Sequence, residues 1–589
     1  MNRLSCAFVA MIVVCSVETA MAAASETLKW QPASGGVISE ATNWSPAQSP
    51  AATSEVDVDK VQSAPIALAD DFHVYATKFL ADSSGAEMVI NMGGHEYLNE
   101  AWVQALKNTV YVFTNGTLKI GTNDEQHLNS VNKGATLAFR GTETIYFESN
   151  LVSSAKGAME IGGESPSVLE VANGAKFYRY MWGNDSLRVK IDSKIIVTNR
   201  SEMVVVANTN SNNALQTGYG GKTPVSSNTR FELLDHSKLD FYGMVVCGAS
   251  LPTTNGLFLV DGGSVVTNMN LGGDSTFRIG GTNNTLRIAN GSTVTVPILE
   301  VGVVSDTCSA LVEVDGGSSL RVGRANPASS GYTGVNVGRD ERGSGHRLVV
   351  RNNSKLTVDA FCCVGSGSDT KFPHQCSMEI RDSSAEFSGA LCVGGFGSSN
   401  SLVLVNSALS CTNRGIGIGY KIAINNSSLS GSASLANRLE VENSTVNTRI
   451  LDVNGYLNAA GSDGPKAVVR VAGTNSLIKT SANSRAAKFY NTELAFEIDP
   501  EGFVQTLIDI PKVDIASNSV VKVALPKKAR RLLGGTKITL MKTEANQLVA
   551  DETTTFVYSA EMCDLVKDVA NGEIYITVKQ PPGLTIFVR

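Results

Sequence analysis

The sequence repeats a short pattern through most of its length, and this repetition constrains the fold more than any other feature. Each copy has a short apolar strand, a turn of Asp or Asn with Gly or Ser, a second strand, and a third strand ending in apolar-x-apolar-Gly. Strands this short bury enough apolar surface only when each copy stacks on the next, so the repeat predicts a solenoid. Clear copies are LFLVDGGSVVT from Leu257, LRIANGSTVTV from Leu286, LVEVDGGSSLRVG from Leu311, LVVRNNSKLTV from Leu348, MEIRDSSAEFS from Met378 and LEVENSTVNTR from Leu439.

The repeated turn indicates the length of one coil. Successive turns lie about 18 to 37 residues apart, the scale of one solenoid coil with loops of variable length. Asp and Asn tolerate left-handed backbone conformations, and we expect their side chains to form ladders along the stack. The Asn-x-Ser/Thr triplets at Asn115, Asn290 and Asn443 fall on this turn, so we interpret them as turn geometry and not as glycan sites. The turn residues are Asp261, Asn290, Asp315, Asn352, Asp382, Asn406, Asn425 and Asn443.

The third strand alternates as expected for a sheet with one buried face. Its aliphatic residues point inward, the residue between them points outward, and the glycine follows where the coil bends sharply. We therefore predict an all-β protein, a right-handed parallel β-helix. Sandwich domains or a propeller would need aromatic residues at fixed places and more regular spacing. The copies are Leu118-Lys119-Ile120-Gly121, Leu299-Glu300-Val301-Gly302, Val335-Asn336-Val337-Gly338, Leu391-Cys392-Val393-Gly394 and Ile416-Gly417-Ile418-Gly419.

Composition agrees with this class and excludes one class of partner. Among 589 residues there are 55 glycines, 18% are charged and 6% are aromatic, as suits a protein of short strands and tight turns. The net charge of −6 offers no basic field, so nucleic acid is excluded as an expected partner.

Four segments follow from these patterns. Arg3, an apolar run from Leu4 to Val17 and the small residues of 20–24 predict a signal peptide over 1–22 and hence an exported protein. After it, no apolar run approaches the roughly 20 residues of a membrane-spanning helix. We assign 23–84 to an N-terminal cap with the first coils, 85–487 to the repeats, and 488–589 to a small C-terminal β cap.

The amino end carries Trp30 and then Asn43-Trp44-Ser45-Pro46 ahead of the degenerate coils. This pattern resembles the secreted bacterial β-helix proteins with autotransporter-associated repeats. The resemblance implies display on, or release from, the cell surface, with adhesion or carbohydrate contact. The chain departs from self-exporting autotransporters, since about a hundred residues follow the last clear repeat and a barrel needs about 250 to 300.

From about Lys488 the repeat pattern gives way to other alternating segments, namely VVKVALP, KITLM and EIYITVK. These segments are similar to the terminal caps of the same broad group, and we predict antiparallel strands that cover the carboxyl end. The final strand, from Gly583, is also open to interpretation as a sorting signal.

Eight cysteines follow the signal segment, and two of them are related by the repeat. Cys363 and Cys392 each lie two residues before a coil glycine, so in adjoining coils they would occupy equivalent outward positions about 4.8 Å apart. A disulfide between these coils and a pair of thiols are both compatible with that spacing. The grouping of Cys362, Cys363, His374 and Cys376 matches no zinc-ligand spacing, and no metal or cofactor is expected there.

Two further motifs have structural interpretations. Gly394 to Ser399 resembles part of a calcium-binding nonapeptide but has Ser399 where a carboxylate should be, so a glycine-rich turn is the better account. The motifs of pectin-cleaving β-helix hydrolases are not matched in this sequence. The nearest segments, which differ from those motifs in residues and in order, are Asp70-Asp71, Arg188-Val189-Lys190 and Gly345-His346-Arg347. We therefore assign no catalytic residue.

The leading hypothesis is an exported structural or adhesin-like protein whose repetitive surface binds an extracellular or cell-surface polysaccharide or protein. The longest interruptions of the repeat, at 324–336 and 365–375, are candidate contact loops. A polysaccharide-active enzyme of lyase or hydrolase type is the alternative. For a lyase, the cluster Asp340-Glu341-Arg342 with Asp369 and Lys371 is the one to test, although a solvated loop rim accounts for these charges as well.

Overall fold

The computed structural model describes most of the chain between residues 26 and 582. The signal peptide expected at 1–22 and the final segment from Gly583 therefore lie outside the described residues. The other segments left out are 121–128, 142–143, 149–158, 164, 181–185, 210–211, 219–226, 249–252, 272, 274, 303–308, 324–332, 339–343, 366–373, 395–397, 420–435, 455–464, 482–485, 502–506 and 517.

The chain winds into a parallel β-helix with three strands in each regular coil. In one coil these strands are Thr285–Ile288, Thr293–Val296 and Ile298–Val301. Each strand pairs in parallel with the equivalent strand of the coil before and the coil after, which produces three long sheets. The predicted parallel β-helix is therefore confirmed, and we name the sheets 1, 2 and 3 in the order in which a coil visits them.

Sheet 1 consists of Gly36–Val37, Ile66–Ala67, Glu87–Asn91, Val110–Thr114, Thr136–Arg140, Val168–Ala172, Lys194–Val197, Arg230–Leu233, Leu257–Val260, Thr285–Ile288, Leu311–Val314, Arg347–Arg351, Ser377–Arg381, Ser401–Val405, Arg438–Glu442, Ala467–Ala472, Thr492–Glu497, Val520–Ala524 and Thr555–Val557. Sheet 2 consists of the first parts of Phe72–Phe79 and Glu96–Ala105, then Thr117–Ile120, Thr144–Glu148, Lys176–Tyr180, Glu202–Val206, Lys238–Tyr242, Val265–Asn268, Thr293–Val296, Ser319–Val322, Lys355–Val358, Ser384–Phe387, Ala408–Cys411, Thr445–Thr448, Leu477–Thr480, Ile508–Asp509 and Lys537–Lys542. Sheet 3 consists of Glu26–Trp30, Ser54–Val58, the second parts of Phe72–Phe79 and Glu96–Ala105, then Asn129–Val131, Met159–Ile161, Leu187–Val189, Asn213–Thr217, Met244–Cys247, Thr276–Ile279, Ile298–Val301, Thr333–Val337, Phe361–Val364, Leu391–Val393, Ile416–Ile418, Leu451–Val453, Ala487–Phe489, Val513–Ile515 and Leu548–Ala550.

The inward side chains of the three sheets form one continuous core. Buried aliphatic and aromatic residues are in contact from Leu28 to Val578. Aromatic residues stack from coil to coil, as Phe231 does on Phe258 with ring centroids 4.5 Å apart. Phe277 meets Phe258 edge to face at 5.0 Å. Register is therefore fixed by burial, because a slip of one residue would turn a whole strand's apolar side chains outward.

The turn between sheets 1 and 2 carries the predicted ladder of Asp and Asn side chains. Asn290 and Asn352 have positive φ angles of 53° and 56°, the left-handed conformation that this residue type tolerates. The Nδ2 group of Asn352 donates to Oδ1 of Asp315 at 2.7 Å, and Asn290 donates likewise to Asp261 at 2.7 Å. Asn115 and Asn443 also have positive φ, at 59° and 47°.

A second ladder, made of serines, lies just inside the same turn and was missed by the sequence analysis. The backbone N–H of each serine donates to the hydroxyl oxygen of the serine one coil further on, at 2.9 to 3.3 Å. These serines are almost completely buried, and the ladder satisfies amides that the turn leaves without a strand partner. The members are Ser201, Ser237, Ser264, Ser292, Ser318, Ser354, Ser383, Ser407 and Ser444.

Two details of the predicted repeat are wrong. Ser401–Val405 pairs directly with Arg438–Glu442, so the repeated turn that follows Asn406 is at Asn443, and the interval predicted from Asn425 is wrong. Asn425 itself lies outside the described residues. The strand Thr117–Ile120 belongs to sheet 2 and not to the third strand of a coil, because it pairs with Thr144–Glu148. Both errors arose because loop lengths vary while the strand patterns resemble one another.

The amino-terminal coils differ from the rest in strand length. Phe72–Phe79 and Glu96–Ala105 run without a break through the corner that separates sheets 2 and 3 in later coils. Before them, Trp44–Ser45 pairs antiparallel with Glu26–Trp30, and the rings of Trp30 and Trp44 meet edge to face at 5.2 Å. Both rings are buried, so they belong to the core at this end of the solenoid.

At the carboxyl end the coils continue further than predicted. Val520–Ala524, Leu548–Ala550 and Thr555–Val557 all pair in parallel with the preceding coil, so the expectation of antiparallel strands is wrong for VVKVALP. It is confirmed for the other two segments, because Lys537–Lys542 pairs antiparallel with Glu573–Val578. Among the described residues of this end, Cys563–Asp568 then pairs antiparallel with Glu573–Val578 and extends sheet 2 further. Apolar and polar residues alternate in the same way in parallel and in antiparallel strands, so the sequence pattern does not distinguish them.

Helices are rare in the described part of the chain. The α-helix Ala529–Leu533 precedes Lys537–Lys542, and a short 3₁₀ turn spans Ala41–Asn43. Within the residues that the structure describes, no helix is long and apolar enough to cross a membrane.

Candidate functional site

The interior of the solenoid is filled by side chains, so the chemistry available to a partner lies on the outward columns of the three sheets. We use the word column for the equivalent residues of successive coils on one sheet. Neighbouring residues of a column are about 4.8 Å apart, the spacing of hydrogen-bonded strands.

Sheet 1 carries charged columns whose members pair with one another. Arg351 contacts Glu313 at 2.7 Å and Asp315 at 3.2 Å, and Arg287 approaches the same two carboxylates at 3.4 and 3.6 Å. Burial alone would raise the pKa of Asp315, but the hydrogen bond from the Asn352 amide and the charge of Arg351 outweigh it and lower the pKa. The charges are thus largely neutralised within the protein.

A second cluster on sheet 1 surrounds Arg470. Its guanidinium contacts Glu497 at 2.7 Å, Glu442 at 3.0 Å and Glu440 at 4.0 Å. The hydrogen bond from Arg470 lowers the pKa of Glu497. Most charged side chains of this cluster are therefore already in ion pairs within the protein, and few are left to contact a partner.

Sheet 2 carries an apolar and aromatic column, which we name the tyrosine stripe: Tyr180, Val206, Tyr242 and Met269. Tyr180 pairs in register with Val206 and Val206 with Tyr242, while the Met269 amide donates to Phe241 and so continues the column. Tyr180 is 37% exposed and Met269 is 46% exposed. Large apolar side chains in one continuous row on a soluble surface are typical of a binding site.

Two further outward columns run beside the stripe on sheet 2. The nearer one contains Tyr178 and Asp240, and along the next one Lys176, Glu202 and Lys238 alternate in charge. Lys238 contacts Asp240 at 2.5 Å and Glu202 at 4.0 Å. The hydrogen bond to Asp240 raises the pKa of Lys238, so this lysine stays protonated at neutral pH. The stripe is therefore flanked by ion pairs and not by a field of one sign.

Sheet 3 differs from the others because its outward column is covered. Glu300 is 4% exposed, Asn336 is 8% exposed and Asp452 is fully buried. Arg278 donates from Nε to the Glu300 carboxylate at 2.7 Å, which compensates that buried charge. A side chain that points outward from this sheet is therefore not necessarily accessible to solvent.

The predicted relationship between Cys363 and Cys392 is present in the register. Their strands are adjacent, and the two residues pair directly in one outward column of sheet 3. Both side chains are thiols and both are buried, in contact with Phe361 and Ala390.

The cysteine and histidine grouping near residue 370 is divided by the fold. Cys362 points into the core and Cys363 points outward on the same strand, so they lie on opposite sides of sheet 3. His374 forms a hydrogen bond through Nδ1 with the Ser398 hydroxyl at 2.8 Å. Residues 395–397 of the glycine-rich motif lie outside the described residues. Elsewhere in the described chain no group of three or more metal-ligand side chains converges.

The structure also places the residues considered for polysaccharide hydrolysis, and it keeps them apart. His346 is fully buried at a corner of the core. Arg188 and Lys190 both contact the Glu160 carboxylate, at 3.4 and 2.5 Å. The Asp71 carboxylate accepts the Glu96 amide hydrogen at 2.9 Å, near the amino end.

The residues of the lyase cluster and most of the two candidate contact loops fall in segments that the structure does not describe. Asp340, Glu341, Arg342, Asp369 and Lys371 lie outside the described residues, as do 324–332 and 366–373 of the candidate contact loops.

The tyrosine stripe was not found from the sequence, although a signal for it exists. Lys176–Tyr180 and Lys238–Tyr242 are five-residue strands that each end in tyrosine at an outward position. The fifth residue of these strands lies beyond the shorter pattern shared by the clear repeats, so an alignment on that pattern passes over it.

A scan against models of known protein families matched none of them, and searches of curated proteins and of solved structures also found no match. The resemblance to secreted proteins with autotransporter-associated repeats stays a prediction that depends on Trp30, on residues 43–46 and on the repeated turn.

Proposed function

We propose that the protein is an exported, adhesin-like structural protein, secreted or held at the cell surface, which binds a carbohydrate polymer along its solenoid. The observation that supports this function best is the tyrosine stripe on sheet 2, which is exposed at Tyr180 and Met269 and half-buried between them. The proposal of export depends on the signal segment at 1–22.

The stripe suits a sugar chain in chemistry. A tyrosine ring presents an apolar face and a hydroxyl that can donate or accept a hydrogen bond. A sugar ring has the matching character, with C–H groups on its faces and hydroxyls at its rim. Asp240, in the outward column next to the stripe, and Glu202, in the column after that, carry carboxylate oxygens that can accept hydrogen bonds from those hydroxyls.

The stripe also suits a sugar chain in dimension and charge. Tyr180 and Tyr242 are two coils apart in one column, about 10 Å, so a polymer running along the axis would meet both rings. Near the stripe, Lys238 is paired with both Asp240 and Glu202, so these columns present no field of one sign, which favours a neutral polymer over an acidic one.

The test is a binding assay with the full chain on insoluble neutral and acidic polysaccharides. We expect wild type to be retained on a neutral polymer, and the double variant Tyr180→Ala/Tyr242→Ala to bind about tenfold more weakly, since two stacking contacts are lost. The control variant Lys355→Ala/Lys479→Ala changes outward residues elsewhere on sheet 2 and should bind as wild type does.

Equal binding by the tyrosine variant and wild type would contradict the proposed site. Absence of any retained wild type would contradict polysaccharide binding altogether. Release of new reducing or unsaturated sugar ends from acidic polymers, abolished by Asp340→Asn and Lys371→Ala, would replace the binding role with the enzymatic alternative.

A further inference from the structure

We propose that Cys363 and Cys392 form a reversible disulfide that joins two consecutive coils on the outer side of sheet 3. The two residues are register partners in adjacent parallel strands. Their Cα atoms are therefore about 4.8 Å apart, inside the range of about 4.4 to 6.8 Å found in disulfides. Because they share a column, both side chains leave the sheet on the same side.

The backbone holds the two coils in this register on either side of the pair. The Cys362 amide donates to the Ala390 carbonyl at 2.9 Å, and the Gly394 amide donates to the Val364 carbonyl at 2.7 Å. The next residue of the column after Cys392 is Gly417. Gly417 has no side chain, so no side chain of the following coil competes for Cys392 in this column.

The other described cysteines near this site are poorly placed to compete. Cys362 and Cys411 point into the core, and burial raises the pKa of both thiols, so little thiolate is available from them. Cys376 is also buried in the core, and burial raises the pKa of its thiol to about 12. Cys308 lies outside the described residues, and the experiment below includes it.

The chemistry is an exchange with a small disulfide such as oxidised glutathione. The Cys363 thiolate attacks one sulfur of the oxidant, which gives a mixed disulfide and releases one oxidant thiolate. The Cys392 thiolate then attacks the Cys363 sulfur, forms the bond between the coils, and releases the second oxidant thiolate. The two thiol protons end on the released thiolates, and the oxidant is reduced by two electrons.

Two features make this bond slow to form and easy to reverse. Both thiols are buried, so the oxidant reaches them only when the coils open locally. Register partners on parallel strands also have Cβ atoms somewhat further apart than the roughly 3.8 Å usual in disulfides, so the coils must draw together slightly and the bond is strained.

The experiment uses the reduced full chain incubated with oxidised glutathione. At intervals the remaining thiols are blocked with N-ethylmaleimide, the protein is digested without reductant, and peptides are analysed by mass spectrometry. We expect a linked peptide pair that contains unblocked Cys363 and Cys392, lighter by two hydrogens than the sum of its parts and separated by dithiothreitol. Cys363→Ala or Cys392→Ala should each abolish it, while Cys376→Ala should leave it intact.

A second measurement does not depend on the variants folding well. Oxidised wild type should unfold at a higher temperature than reduced wild type, because the bond closes a loop in the unfolded chain. The proposal is overturned if both cysteines remain blocked at the end of the reaction, if Cys363 stops at the mixed glutathione disulfide, or if the link uses Cys308, Cys362 or Cys411.

Discussion

His346 accepts the backbone N–H of Ala310 on its Nδ1 atom at 3.2 Å, at a corner where neighbouring coils use asparagine. The Oδ1 atom of Asn284 accepts the Gly256 amide at 2.5 Å, and Oδ1 of Asn400 accepts the Cys376 amide at 3.0 Å. The imidazole therefore has to stay neutral, because a proton on Nδ1 would face another donor. Among the described residues, its Nε2 atom is buried with no hydrogen-bond partner.

Replacing this histidine should change how the protein responds to acid. Burial lowers the pKa of His346 to about 4, below the roughly 6.5 of an unfolded histidine. The unfolded chain takes up the proton first, so stability is complete above pH 6.5 and falls as the pH decreases towards 4. Wild type should lose about 2 kcal/mol of unfolding free energy between about pH 7 and pH 5 from this group.

His346→Asn provides the matched measurement, because an amide oxygen can accept the same hydrogen bond without titrating. Urea unfolding of both proteins at the two pH values isolates the contribution of the imidazole as a double difference. An identical pH dependence for wild type and variant would show that His346 is not the group responsible.

The serine ladder predicts a large difference between two adjacent serines. Ser318→Ala removes the acceptor of the buried Ser292 amide and should cost about 1 to 3 kcal/mol of stability. Ser319→Ala removes only a partly buried outward hydroxyl, which contacts Thr293, and should cost less than about 0.5 kcal/mol. Equal midpoints for these two variants in chemical denaturation would mean that the ladder contributes nothing.

Two coil glycines with nearly the same backbone should respond differently to alanine. Gly394 and Gly291 have φ angles of 72° and 75°, so both substitutions pay for a strained backbone, about 1 to 2 kcal/mol. At Gly394 a Cβ atom would also lie 2.2 Å from the Asn437 side chain, while at Gly291 it would meet nothing within 4 Å. Gly394→Ala should therefore lower the thermal midpoint more, and the opposite order would contradict the packing at this corner.

The cluster around Arg470 predicts a stability effect that depends on salt and pH. Arg470→Gln should cost up to about 1 kcal/mol at neutral pH, and less in molar salt, because the contacts are partly exposed. Arg470 lowers the pKa of Glu497, so the contribution is present above the unfolded pKa of glutamate and is lost as the pH falls through the lowered value. Arg438→Gln, which loses one contact of 3.6 Å, should change little, and an equal loss in both variants would contradict the network.

Much of the fold could be predicted because the same physical demand recurs in every coil. The sequence alone shows an inward aliphatic pair such as Leu299 and Val301 followed by Gly302. In the structure Gly302 has a φ angle of 74°. The prediction was wrong where loop length or strand direction decided the outcome, as for the turn interval at Asn425 and for Val520–Ala524. A short segment of alternating apolar residues does not indicate which coil it follows or whether the strand it pairs with is parallel or antiparallel.

The candidate site was less predictable, because it depends on which columns remain exposed. The pairing of Cys363 with Cys392 followed from their equal distance to a coil glycine and is seen in the register. The burial of these two cysteines could not be predicted from the repeat, because it depends on the residues that cover sheet 3. The tyrosine stripe requires four coils to be aligned at once, and the variable loops between Tyr180 and Met269 hide that alignment in the sequence.

The direction of the hydrogen bonds between coils has a mechanical consequence. Because the strands of all three sheets bond along the solenoid axis, a pull on the two ends loads these bonds lengthwise, and an outermost coil can detach while the rest stays wound. A coil of about 30 residues would release roughly 100 Å of slack. Such a molecule tethered between two surfaces would yield in steps under tension instead of breaking at once.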